Sequence, residues 1–271
     1  MKTTTVRLPP INLKVENGIR RFFAKSFGSA KGPLVLKYPR ILVKFSGEAL
    51  GNRSDTISAA ILRRIAAQIA LLRKAGIEVV IVLGGGNIFR GLAGSKNGID
   101  RVKGDHMGML ATVINSIALQ DALESIGVPA VVMTATSMPG FGEHYVCANA
   151  MKHISEGLVV IFGGGTGNSY FSTDTAAALR ANEIKADVII KATKVDGIYD
   201  SDPKLNSRAK RFARISHRNA LRKELKVMDS TAFSLCMDNK KPIIVCNPRR
   251  ISDLLRIALG DESNCTVVET N

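Results

Sequence analysis

The 271-residue chain has no tryptophan, and its aromatic residues are ten Phe and four Tyr. Interleaved aromatic platforms for stacking nucleic-acid bases are therefore not evident. Hydrophobic residues make up 45% of the sequence, yet none of the apolar runs reaches the length of about 18 residues that a membrane-spanning helix requires, so no membrane span is expected. Cysteine is scarce. Cys147, Cys236, Cys246 and Cys265 form no Cys-x-x-Cys pair, which excludes a zinc knuckle and a thioredoxin motif. Each lies in or beside an apolar segment and reads as a reduced, buried thiol. The four histidines show no ligand spacing such as His-Glu-x-x-His, so no metal is assigned to them. Walker A, the protein-kinase motif set and a Gly-x-Gly-x-x-Gly dinucleotide fingerprint are also absent.

Acidic residues are few at the beginning of the chain. Residues 1–40 hold nine Lys/Arg and one acid, Glu16, so more than half of the net charge of +15 sits there. The rest is mildly basic, which suits a protein that handles anionic substrates as well as one that binds nucleic acid. Residues 1–38 contain Pro9-Pro10, Gly28, Gly32 and Pro33 around a short basic piece, IRRFFAKSF. They lack the long apolar core of a secretory signal and read as a flexible basic extension. An acid-poor transit segment is the alternative. The expected location is cytoplasmic, or an organelle if the extension is such a segment.

From Arg40 onward, apolar runs alternate with helical patterns. Strands are predicted at 41–45, 78–83, 128–133, 158–162, 187–191, 242–246 and 265–269. Helices are predicted at 57–75, 106–126, 145–156, 174–185, 216–239 (in most of that span) and 250–259. In the first helix Ile57, Ile61, Ile65, Ile69 and Leu72 recur at helical spacing, and Gly76 stops it. Repeated βα units with nearly continuous apolar strands predict an α/β fold with a mainly parallel sheet covered on both faces. Residues 39–271 are read as one domain.

In such sheets ligands bind beyond the carboxyl ends of the strands. Lys44-Phe45-Ser46-Gly47-Glu48 follows the first strand, and Gly84-Gly85-Gly86-Asn87 with Arg90 follows the second. Gly163-Gly164-Gly165-Thr166-Gly167-Asn168 follows the fourth, and Lys191-Ala192-Thr193-Lys194-Val195-Asp196-Gly197 the fifth. Four strand ends with glycine, lysine or hydroxyl groups on one edge supply backbone amides and cations for phosphates. That suits phosphoryl transfer, where positioning and charge neutralisation dominate catalysis. In IFGGGTGNSYFSTDTAAA the glycines let backbone amides approach an anion, and Ser172, Thr173 and Asp174 stand where a helix begins. A glycine turn between strand and helix is also common in any α/β protein.

The segments ILVKFSGEAL, VLGGGNIFRG, DHMGMLATVINSIALQDALE, IFGGGTGNSYFSTDTAAALRA, IIKATKVDGIYDSDP and VMDSTAFSLC occur in this order. Together, over about residues 38–271, they resemble bacterial-type uridylate (UMP) kinase of the amino-acid-kinase superfamily. The resemblance implies a three-layer αβα sandwich and transfer of the γ-phosphoryl group of ATP to UMP in pyrimidine nucleotide biosynthesis. It further implies ATP as co-substrate, Mg²⁺ bound mainly through the nucleotide phosphates, a homohexamer, and UTP as a feedback inhibitor.

Matching positions carry the implied roles. Lys44, Phe45, Ser46 and Gly47 correspond to the turn that holds the ATP phosphates, with Lys44 neutralising the transferring group. Gly85 matches a UMP contact; Gly86 and Arg90 match contacts on the ATP phosphate side. Asp105 matches the carboxylate that accepts hydrogen bonds from the uridine ribose. Thr166, Gly167, Asn168, Ser169, Tyr170, Phe171, Ser172 and Thr173 match the UMP-binding turn. Thr193, Tyr199 and Asp202 match positions around the ATP nucleoside. Asp174 is expected to orient the lysines and the Mg-nucleotide, making Lys44, Asp174 and Arg90 the catalytic set.

Structural explanations stand beside these roles. Asp174 and Asp105 could each serve a helix N-terminus, Lys44 could be a solvated strand-end lysine, and Asp229 in VMDSTAF reads best as a helix cap. Two departures from the family pattern stand out. The segment Gly51-Asn52-Arg53-Ser54-Asp55-Thr56 lacks the Gly-Phe-Gly pattern tied to GTP activation. Ser169 replaces the usual proline, which loosens the turn without removing its amides. Two other functions remain: a superfamily member phosphorylating a carboxylate or carbamate, and a basic nucleic-acid-binding protein.

Overall fold

The computed structural model describes residues 36–270 except 53, 91–97, 204, 224, 226 and 227. The expected extension at 1–38 lies outside the described residues up to position 35. Strands run over Arg40–Phe45 (β1), Glu78–Leu83 (β2), Ala130–Thr134 (β3), Glu143–His144 (β4), Val159–Gly163 (β5), Val188–Ala192 (β6), Arg214–Ser216 (β7), Ile243–Cys246 (β8) and Thr266–Glu269 (β9). Helices run over Ala59–Lys74 (α1), Arg101–Glu124 (α2), Cys147–Ser155 (α3), Thr173–Glu183 (α4), His217–Arg222 (α5), Ser230–Asp238 (α6) and Asp253–Ala258 (α7). A short 3₁₀ turn at Gly47–Ala49 follows β1.

Among the described residues the strands form one sheet in the order β4-β3-β5-β2-β1-β6-β8-β9-β7. The pairs from β4 to β8 are parallel, β8 and β9 pair antiparallel, and β7 runs parallel to β9. The sheet is thus mainly parallel, with its reversed strands at one edge. Successive residues of a strand face opposite sides of a sheet. Ile41, Val43 and Phe45 accordingly enter the core under α1, α2 and α7, while Leu42 enters the other core under α3, α4 and α6. Burial on both faces explains the nearly unbroken apolar runs. The three-layer αβα arrangement expected from the sequence is the one observed.

Helix boundaries shift in instructive places. Helix α2 begins at Arg101, not at 106, because Asp100 caps it by accepting from the Lys103 amide at 3.1 Å. The mostly helical span expected over 216–239 holds two helices, α5 and α6, each with its own cap: Ser216 accepts from the Asn219 amide and Asp229 from the Ala232 amide. The two short edge strands β4 and β7 went unpredicted.

Candidate active site

Lys44 and Lys191 are the charged interruptions in the apolar cores of β1 and β6. In the parallel register Lys44 lies beside Lys191, so both side chains emerge on the face that α4 covers. The register also places them at the carboxyl ends of two central strands. Asp174, in the first turn of α4, lies between them. Its Oδ1 is 2.8 Å from Lys44 Nζ, and its Oδ2 accepts from Lys191 Nζ at 2.6 Å. Lys44 is only 6% exposed, so it is not a solvated strand-end lysine. Burial pushes the Asp174 carboxyl upward, but the two ammonium groups outweigh it and hold the carboxyl below its ordinary range. Lys191 is shifted down, first by burial and then by Lys44, while Asp174 opposes the shift. Two cations held side by side by one carboxylate form a focused positive site at the edge of the sheet.

The N-terminus of α4 fixes that carboxylate. Ser172 caps the helix, its Oγ accepting from the amides of Asp174 at 2.9 Å and Thr175 at 3.4 Å. The Ser172 hydroxyl in turn donates to Asp229, and Thr175 Oγ1 donates to both Asp229 oxygens at 2.9 and 3.0 Å. Asp229 therefore does cap α6, as its sequence context suggested, and it also ties the first turn of α4 to that of α6. This second role depends on the packing of α4 against α6 and has no local signature in the sequence.

The glycine turn after β5 leads into α4 through Gly164, Gly165 and Gly167, all in the left-handed region. Thr112 of α2 is buried and accepts from the Gly164 amide at 2.8 Å. Thr166 and Asn168 bond within the turn, the Asn168 amide donating to Thr166 Oγ1 at 3.2 Å. Tyr170 has φ +69°, which costs a non-glycine residue energy, and its amide donates to Asp105 Oδ2 at 2.7 Å. Arg101 Nε donates to the same oxygen at 2.9 Å, and its guanidinium lies 5.1 Å from the Tyr170 ring centroid. Asp105 is thus an interior residue of α2 rather than its cap. Tyr170 and Phe171 are exposed, Ser169 and Thr173 half-buried.

The turns after β1 and β2 interlock. A Cβ at Gly47 would stand 2.6 Å from the Gly86 nitrogen and 2.8 Å from the Gly84 oxygen, so only glycine allows the two turns to touch. A Cβ at Gly85 would meet the Gly108 oxygen at 2.6 Å, so the packing of α2 by itself requires glycine there. Asn115, fully buried in α2, donates to the Gly84 oxygen at 2.7 Å and to Asn87 Oδ1 at 2.8 Å. Glu48 pairs with Arg90, and Lys194 approaches Glu48 at 3.9 Å. The Phe45 side chain belongs to the core on the face opposite Lys44, so its backbone alone can line the site; Ser46 accepts from the Ala49 amide at 2.9 Å.

Thr193, Tyr199 and Asp202 line one cavity of about 470 Å³, together with Lys191, Val195 and Val245. Lys191 joins this cavity to the lysine–carboxylate cluster. The structure thus gathers Lys44, Asp174, Thr193, Tyr199 and Asp202 around one strand edge, with Gly85, Asp105 and the 166–173 turn on the α2 side. Reading the sequence placed Lys191 only among the strand-end cations, and left Asn115, Thr112 and the bridging role of Asp229 out of the site. Among the described residues no group of three or more His, Cys, Asp or Glu side chains is arranged to hold a metal ion, and no helix is long and apolar enough to cross a membrane.

The description "amino acid kinase family" fits residues 39–247, most of the chain. The chain belongs to the amino acid kinase family. Among curated relatives, the uridylate kinase of Bartonella bacilliformis is 52% identical over 228 residues, covering 84% of this chain and 95% of that one. Among solved structures, UMP kinase from Bacillus anthracis superposes with a TM-score of 0.83 at 37% identity, covering 86% of this chain and 97% of its own. UMP kinase from Ureaplasma parvum gives 0.81 at 38% identity, covering 87% and 100%.

Proposed function

We propose that the protein is a nucleoside monophosphate kinase that transfers the γ-phosphoryl group of ATP to UMP, giving UDP and ADP. The observation that carries this reading is the pair of register-matched lysines held by Asp174 where four glycine- or lysine-bearing strand ends meet. Phosphoryl transfer needs in-line positioning and cancellation of charge on the phosphate oxygens, and little covalent chemistry from the protein. Lys44 and Lys191 supply the charge. Asp174 orients both ammonium groups, and the turns at Ser46–Gly47 and Gly85–Gly86 offer backbone amides. ATP places its nucleoside in the cavity of Thr193, Tyr199 and Asp202. UMP lies against Thr166–Thr173, with Asp105 facing its ribose. Arg90 leaves Glu48 to meet phosphate.

Mg²⁺ enters as the metal–ATP complex, held mainly by phosphate oxygens, and lowers the charge on them. The identity of the relatives and the similarity of the whole fold support this reading. Residues 39–271 are proposed as the kinase domain, with 1–38 a basic extension, and the cytoplasm as the site of action in pyrimidine nucleotide synthesis. UTP is the proposed feedback inhibitor and a homohexamer the proposed assembly. For the assembly, support comes from α2, whose Met107, Leu110, Ile114 and Ile117 recur at spacings of three and four and are all exposed. Such a stripe suits the same helix of a second copy. Turnover of UMP against CMP, glutamate and aspartate with Mg-ATP tests the assignment. UMP is expected to be the acceptor consumed; turnover of a carboxylate in its place refutes the reading.

A further inference from the structure

The strand pair β8–β9 places two thiols together. Its antiparallel register pairs Ile243 with Val268, Ile244 with Val267 and Val245 with Thr266. One step further, Cys246 stands opposite Cys265. The backbone shows which kind of pair this is. The Cys246 carbonyl accepts from the Thr193 amide on the β6 side. The Cys265 amide donates to Glu262, and its carbonyl accepts from Arg211. Neither residue spends these groups on the other strand, so the two form a non-hydrogen-bonded pair. In such a pair the Cα atoms stand about 4.5 Å apart and the side chains are at their closest. That separation falls within the range a disulfide spans without backbone movement, about 4.4–6.8 Å. Both side chains also point into the same core layer.

The thiols are nearly buried, Cys246 2% and Cys265 3% exposed, and they line a cavity of about 350 Å³ together with Arg249, Arg250, Asp253 and Asp261, which is the route to them. The thiols are unequal. A hydrogen bond from Cys246, and then Arg211, hold Cys265 below the ordinary thiol range against the effect of burial. The same hydrogen bond, and then burial, push Cys246 up. The Arg211 guanidinium, which donates to the Cys265 carbonyl, stands on the Cys265 side of the pair and favours the thiolate there, which makes Cys265 the attacking sulfur and Cys246 the resolving one.

We propose that Cys246 and Cys265 are a redox modification site that closes to a reversible disulfide by exchange with a small-molecule disulfide entering this cavity. Cys265, having released its proton to solvent, attacks one sulfur of the reagent. The reagent's S–S bond breaks and its first thiolate leaves, taking up a proton. The Cys246 sulfur, on losing its proton, then attacks Cys265 in the mixed disulfide and expels the second thiol. The protein loses two electrons and two protons; the reagent gains both and becomes two thiols.

Closure acts on a neighbouring segment. Thr193 hangs from the Cys246 carbonyl, and the Ile198 amide donates to Thr266 Oγ1 at 2.9 Å. A Cβ at Gly197 would stand 2.5 Å from that same oxygen. The segment lining the cavity of Thr193, Tyr199 and Asp202 is therefore fastened on either side of the pair. Resting on the reading of that cavity as the ATP nucleoside site, locking β8 to β9 restricts the segment hung from both strands, which raises KM for ATP and leaves KM for UMP unchanged.

The test treats the reduced full-length protein with oxidised glutathione and reads peptide masses before and after dithiothreitol. The expected result is a link between Cys246 and Cys265 with the loss of two hydrogens, reversed by dithiothreitol, while Cys147 and Cys236 stay outside it. Cys246→Ser should trap one glutathionyl group on Cys265, and Cys265→Ser should leave Cys246 unmodified. Both thiols remaining reduced in the wild type, or a lasting glutathionyl adduct on it, overturns the proposal. These masses are read whether or not UMP is turned over, so they judge the site independently of the kinase reading. On the linked protein, KM for ATP should rise on the order of fivefold, the low end of ordinary coupling between sites; an unmoved value overturns the coupling.

Discussion

Lys44 and Lys191 are register partners on adjacent parallel strands, and both ammonium groups close on one carboxylate, Asp174, at 2.8 and 2.6 Å. Like charges at this spacing repel, and burial raises the cost of each. The carboxylate makes the pair tolerable in the free protein, and an incoming polyphosphate provides further counter-charge. The cluster is thus organised before substrate arrives.

Replacing either lysine should therefore affect rate more than fold. Lys44→Ala leaves Asp174 paired with Lys191, and Lys191→Ala leaves it paired with Lys44, so neither strands a buried charge. Each should lower kcat by about 10²–10³-fold, the usual effect of removing one donor from a preorganised charge site. Steady-state kinetics beside a thermal melt check this. A kcat within about threefold of wild type would remove the lysine from the phosphoryl site.

Asp174→Asn should behave differently, because it leaves two buried cations without their carboxylate. Loss of one partner from a buried pair typically costs about 3–5 kcal/mol, fully felt only in a dry site. The pH dependence follows from the sign of the shift. The folded carboxyl lies below its ordinary value of 3.8, so its contribution is complete above that value and is lost as pH falls through the folded pKa. Denaturant unfolding should show the wild type more stable than Asp174→Asn near neutrality. The gap should narrow only once the pH drops below the ordinary carboxylate value. A gap that is constant down to about pH 3 would contradict the linkage.

The sheet was legible because its strands are buried on both faces and read as unbroken apolar runs. Lys44 was legible as part of a strand end and through the motif around it. Lys191 sits in an equivalent run, IIKA, yet entered the reading only as a strand end. Its partnership with Lys44 depends on register, which no single segment encodes. The two-residue β4 and three-residue β7 are too short to show a period. Gly104, four residues into α2, hid that helix's true start and made Asp105 look terminal. Asn115 and Thr112 were invisible for the opposite reason. They are polar residues at buried positions of a helix, and their purpose appears only when Gly84 and Gly164 are seen to bond them.

Asp105 accepts from both the Tyr170 amide and Arg101, so it shapes the 166–173 turn that is proposed to hold the acceptor. Asp105→Ala frees an amide from a charged acceptor, a bond worth about 1.5–3 kcal/mol. If that energy is expressed in UMP binding, KM for UMP should rise roughly 10- to 150-fold, with KM for ATP near wild type. Asp105→Asn keeps the shape and an acceptor oxygen, and should lie between the two. Equal increases in both KM values would show that the residue supports the fold at large and not the acceptor turn.

The apolar stripe on α2 carries the last prediction. Leu110 and Ile114 are 50% and 49% exposed, whereas Leu119 and Leu123 of the same helix are fully buried. The outward pair therefore contributes little to the fold of one chain and much to a contact between chains. Leu110→Glu combined with Ile114→Glu sets like charges on both copies if α2 meets its own counterpart, as in a two-fold contact. Light scattering should show a smaller particle than the wild type, while circular dichroism stays the same. The substituted helix also supplies Asp105, Thr112 and Asn115 to the site, so UMP turnover by the smaller particle would report whether assembly stiffens α2. If the mass is unchanged, the stripe is not the contact that builds the assembly.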